Sequence, residues 1–91
     1  MIITIKLSSG EELIGKYIYD DVSALTLEEI KVVVPATEAD GSLSIRTFPW
    51  ILTSMKEQHS IPLEFIVAQC PTDDKIAAQY IKETTGLIVF K

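Results

Sequence analysis

The chain opens with apolar and polar residues in alternation. Ile3, Ile5 and Leu7 fall on one side, and Thr4, Lys6 and Ser8 on the other. A period of two is what a strand with one buried face requires. Ser8, Ser9, Gly10 and Glu11 then read as a tight turn. A second strand is expected over residues 12–19, with Leu13, Tyr17 and Tyr19 on one face and Ile14, Lys16 and Ile18 on the other. Gly15 lies inside it, as glycine does where a strand bends, bulges or meets another backbone closely. Residues 20–23, Asp-Asp-Val-Ser, favour a turn, because Asp and Ser side chains bond nearby backbone groups. A third strand is expected in two parts, 24–27 and 30–34, parted at Glu28 and Glu29 by a bulge or short turn, with Pro35 ending hydrogen-bonded pairing on one side. Residues 37–42 contain Asp-Gly-Ser and read as an exposed hairpin loop. The chain returns over residues 43–55. There the alternation gives way to apolar residues on both faces, and Pro49 disfavours a central strand. Residues 56–60 form a second polar loop, and 61–70 read as a last strand. That strand is apolar on both faces, as one shared with a neighbouring subunit would be.

The period then changes. Thr72 is expected to cap a helix over residues 72–85, with Asp73 and Asp74 at the positive end of its dipole. Ile76, Ala77, Tyr80 and Ile81 share one face of it, and Gly86 suits a C-cap. An apolar tail, 87–90, follows as a further strand or a packing arm. The expected organisation is one domain, 1–91, with the strands in 1–70 and the helix and tail in 71–91. A few short antiparallel strands leave unpaired edges, which a small closed or nearly closed barrel removes.

Composition sharpens this picture. In only 91 residues the hydrophobic share is 47% and the mean hydropathy is +0.27. A chain this short buries only about two-thirds of its unfolded surface, so burial at a subunit interface is the simplest use of the excess. No apolar run approaches the ~20 residues of a spanning helix, and no leader pattern is visible. With a single cysteine, Cys70, no intrachain disulfide can form. The cytoplasm is the expected compartment, with no membrane partner. Eight Lys and Arg against 13 Asp and Glu leave a net charge of −5, which argues against strong non-specific gripping of phosphate backbones.

Candidate chemistry is sparse. His59, the only histidine, stands in the expected polar loop with no second ligand at metal spacing. Cys70 reads as a buried structural thiol at a strand end rather than a nucleophile paired with His59. The pairs Asp20-Asp21 and Glu28-Glu29 flank turns, where solvated charge is ordinary. Tyr17, Tyr19, Phe48 and Trp50 could stack bases but have only Lys16 and Arg46 as sequence neighbours of positive charge. No catalytic residue, metal or cofactor is expected.

The stretch KLSSGEELIGKYIYDD, Lys6 to Asp21, resembles the first motif of the Sm-like (LSm) family, in the spacing of Leu7, Gly10, Gly15 and Asp21 and in Leu25 and Leu27 of the strand after it. Phe48-Pro49-Trp50 and Tyr80 are similar to the endings of the small Sm-like proteins of phages, cyanophages among them. The resemblance implies a strongly bent five-stranded Sm-like (SH3-like) barrel with a C-terminal helix, and a homo-oligomeric ring of about five to seven subunits. Gly10 and Gly15 would define that fold. It further implies a non-enzymatic RNA chaperone or scaffold acting in the cytoplasm of a phage-infected host. Its nucleic-acid site would lie at Asp20, Asp21 and Ser23, with Arg46. Two departures bear on this. The helix stands at the end of the chain rather than the beginning, and the family's RNA-binding asparagine and Arg-Gly pair have no counterparts. Residues 22–25 occupy the first region, and Arg46-Thr47 is nearest to the second. The alternative is a ring that binds host or phage proteins and no RNA, which the acidic charge favours.

Overall fold

The computed structural model describes residues 1–85. The alternating opening is strand β1 (Ile2–Leu7), paired antiparallel with β2 (Glu12–Asp20). Their turn closes with the Leu7 N–H donating to the Glu11 carbonyl and the Gly10 N–H to the Leu7 carbonyl, each at 2.9 Å. Gly10 has a φ of +99°, a conformation L residues adopt only with strain. Gly10→Ala is therefore expected to cost about 1 kcal/mol in urea unfolding; an unchanged midpoint would contradict this turn.

The long strand β3 (Ala24–Thr37) organises the rest. One of its edges takes β2; the other is shared between β4 (Leu43–Pro49), on its second half, and β5 (Gln58–Pro62), on its first. A 3₁₀ turn (Leu63–Phe65) leads into β6 (Ile66–Pro71), which returns to β1. The order is β4-β3-β2-β1-β6, with β5 beside β3, and every pairing is antiparallel. There are thus six strands rather than five. The return over 43–55 stops at Pro49, where Trp50 bonds to the Ile30 carbonyl at 3.0 Å and the chain crosses to the other half of β3. Residues 58–60 of the expected polar loop pair with β3, since a strand edge needs only their backbone, and Thr26 and Ser60 join hydroxyls at 2.8 Å. The expected strand 61–70 is split by the 3₁₀ turn. At Glu28 and Glu29 the expected break is a kink inside one continuous strand. Glu29 takes a φ of +52°, and the β2–β3 register shifts between Ile14 and Lys16.

Ile3, Ile5, Leu7 and Leu13 share one buried cluster with Leu25, Leu27, Ile30 and Ile61. Ile61 is on β5 and Ile3 on β1, strands that do not pair, so the sheet curls around its own core. It stays open: no ladder joins β4 to β6 among the described residues.

Helix α1 (Asp74–Thr85) lies across the opposite face of the sheet. There Ile76 shares a cleft with Thr4, Ile14, Val33 and Ile45, and Glu83 reaches Lys31 at 3.3 Å and Thr47 at 3.1 Å. The helix thus covers an outer face of the sheet. Its cap is Asp73, whose carboxylate accepts from the Lys75 and Ile76 N–H groups, whereas Thr72 instead bonds Thr4 at 2.8 Å. Tyr80 is buried, while Ile81, expected on the same face, is exposed. Gly86 and the segment 87–90 lie outside the described residues.

Candidate functional site

The turn after β2 is built by Asp21. Its carboxylate accepts from the Ser23 N–H at 2.7 Å, the Ser23 hydroxyl at 2.9 Å and the Ala24 N–H at 2.9 Å. The Ser23 and then the Ala24 donors hold the carboxyl below the usual aspartate range. Asp20 accepts from the Tyr17 hydroxyl, which pushes that phenol up. The Ser23 carbonyl accepts from Leu63 at 2.9 Å, so the turn lies against the 3₁₀ turn and its exposed Glu64.

Arg46 is elsewhere. It sits on β4 opposite Val34, and its guanidinium lies 3.7 Å from Glu38. Ten positions of β3 separate Val34 from Ala24, on the order of 30 Å of extended strand. The structure therefore brings Asp20, Asp21 and Ser23 together and places Arg46 apart from them. A phosphate at the turn would meet the carboxylates of Asp20 and Asp21. The neighbour that sequence reasoning missed is the 3₁₀ turn, for which the strand-like pattern of 61–70 held no signal.

The other candidates also separate. His59 is on β5 opposite Leu27, and Cys70 is on β6 opposite Thr4. Cys70 is exposed rather than buried, because β6 is an edge strand covered on one side only. Glu28 and Glu29 gain Glu57 as a third carboxylate, with oxygens of the three within 4.8 Å of one another. Lys16 at 3.5 Å from Glu29, and Gln58 at 3.3 Å from Glu28, already partner this group.

Among the described residues, what the fold assembles most distinctly is a pair of sheet edges without a partner strand and with apolar side chains. One is the broken edge of β4 and β5, where Leu43 is 78% exposed, Ile45 46% and Phe48 49%. The other is β6, where Val67 is 64% exposed, preceded by Phe65 at 49%. Such edges invite pairing with another strand. Among the described residues no helix is long and apolar enough to cross a membrane. Neither a family model nor a curated protein matches the chain.

Proposed function

We propose that this chain is a non-enzymatic Sm-like subunit that joins copies of itself, edge to edge, into a closed ring of about five to seven, and that the ring serves as a binding scaffold. The observation that carries this reading is the exposed apolar surface on the two edges of the sheet that pair with no strand among the described residues. The edges differ, one being β4 with β5 and the other β6. Pairing between copies is therefore head to tail, which closes into a ring when the rotation per subunit allows it. The kinked β3 and the glycine at the bend of β2 support the Sm-like reading. Charge favours a protein cargo. Lys16, Lys31 and Arg46 are each within 4.0 Å of a glutamate, so three of the eight Lys and Arg side chains are already paired with carboxylates within the fold. The second reading, an RNA-binding ring like those of phage Sm-like proteins, is favoured by the exposed Tyr19 and Phe65 on the elements flanking the Asp20–Ser23 turn.

Light scattering with and without a mixed pool of short RNAs tests both. A discrete mass of about five to seven protomers is expected, unchanged by RNA. A mass that rises with RNA moves the assignment to the second reading, and a monomer at all concentrations overturns the ring. Val67→Lys, which puts a charge on the β6 edge, is expected to reduce the assembly to monomers while leaving the far-UV circular dichroism unaltered. An intact ring in that variant would exclude β6 as the joining edge.

A further inference from the structure

The edge formed by β4 and β5 is one line of strand with an excursion in its middle. Both strands run antiparallel to β3 along the same edge of it, so they run in the same sense. Pro49 pairs with Lys31 and Gln58 with Glu28, so Glu29 and Ile30 alone face the whole of residues 50–57. The base of this excursion is fixed. The Trp50 N–H donates to the Ile30 carbonyl at 3.0 Å, and the Glu29 N–H donates to the Glu57 carbonyl at 2.9 Å. Trp50 packs against the core cluster, while beyond it Leu52 is largely exposed and Met55 fully so. An excursion that only shielded the edge would present charge there. Residues 51–55 carry none, and their most exposed side chains are Leu52 and Met55.

We propose that residues 50–57 clasp the next copy of this chain, with Leu52 and Met55 seated against Leu63 and Phe65 of that copy's 3₁₀ turn. The clasp rests on the edge-to-edge assembly proposed above. β4 offers an incoming strand the exposed side chains of Leu43, Ile45 and Phe48, whereas the exposed residues of β5 are Gln58, Ser60 and Pro62. The apolar match for Val67 of an incoming β6 is therefore β4. Every pairing within this sheet is antiparallel. A β6 added to β4 in that sense begins at the Pro49 end, because Ile66 is its first residue and Pro49 is the last of β4. An added strand lies about 5 Å from its neighbour. The residues just before Ile66, Leu63 to Phe65, thus arrive beside the excursion. Leu63 and Phe65 are both exposed in the isolated chain, and a methionine sulfur makes favourable contact with an aromatic ring, as Met55 does here with Phe65. The excursion also stops the incoming β6 from sliding along the edge onto β5, which fixes its register.

Light scattering on the full chain over a dilution series tests the clasp. Leu52→Ser with Met55→Ser, and separately Phe65→Ser, should each raise the concentration at which the assembly dissociates by at least about tenfold. Far-UV circular dichroism should stay unaltered, since all three side chains are exposed in the isolated chain. With the three changes combined, the shift should be smaller than the product of the two separate shifts, because both remove the same contact. A Leu52 and Met55 variant that dissociates at the parent's concentration overturns the clasp and leaves the ring standing. A combined shift equal to the product overturns the contact between these two surfaces. A parent that is monomeric at every concentration overturns the ring and the clasp with it, so the two failures are distinguishable.

Discussion

Replacing Gly15 by valine is expected to lower the melting temperature by about 10–20 °C, the equivalent of about 2–3 kcal/mol for a domain of this size. A Cβ built at Gly15 lies 3.2 Å from both Cβ and Cδ1 of Leu27 and 3.4 Å from the Glu28 carbonyl oxygen. Leu27 is fully buried and held in the core cluster, and Glu28 is at the β3 kink, where the β2 register slips past Gly15. Neither neighbour can retreat without disturbing the core. A single methyl needs Leu27 to move by a few tenths of an ångström, so Gly15→Ala should cost about 1 kcal/mol. Valine adds two branches where even the first carbon is crowded. Thermal unfolding followed by circular dichroism gives the answer. A valine variant that melts with the parent would mean that β2 does not cross β3 at Gly15 in this register.

Much of this architecture was legible in the sequence. The alternation of Ile3, Ile5 and Leu7 placed β1 and its buried face, because one side of that strand meets solvent and the other the core. Gly15 was legible because a missing side chain inside a strand has few explanations. The stretch 43–70 was misread where backbone and side-chain signals part. Gln58, His59 and Ser60 look like a loop by polarity, but a strand at a sheet edge can be polar and still pair. The 3₁₀ turn is hidden because Leu63 and Phe65 keep a strand's period of two. Thr72 and Asp73 are both good cap residues, and the choice between them was made by Thr4, a partner 68 positions away. The candidate site suffered most from such distance. Asp20, Asp21 and Ser23 make one local turn, visible as such, whereas the place of Arg46 depends on which half of β3 its strand joins. The apolar excess was legible as a quantity, and only the structure shows where it stays exposed, at Leu43 and Val67 on edge strands and at Val22, Leu52 and Met55 in the connections.

Tyr80 ties the helix to the kink of β3, and its loss is expected to have the largest effect of any single side chain in α1. The ring is buried, and its hydroxyl donates at 2.6 Å to the Glu29 carbonyl, with the Glu28 carbonyl 3.1 Å away. These carbonyls belong to the strained turn of the strand, where Glu29 holds its positive φ. Tyr80→Ala removes both the packing and the donor and should cost about 3–5 kcal/mol. Tyr80→Phe keeps the ring and should cost about 1–3 kcal/mol, the penalty for a buried acceptor left without its donor. The two variants thus separate packing from hydrogen bonding. Alkali provides an independent readout. Burial first, then the negative charges of Glu29 and Glu28, push the Tyr80 phenol well above its ordinary value of 10.0. Above that value the unfolded chain releases this proton while the folded chain keeps it. The contribution is therefore complete below about pH 10 and is lost progressively as the pH rises through and beyond it. Tyr80→Phe should lack that part of the alkaline decline, so the gap in stability between parent and variant should narrow from pH 9 to pH 11.5. A gap that stays constant over this range would show that the hydroxyl is not buried against the β3 kink, and that α1 is held to the sheet by Ile76 and Glu83 instead.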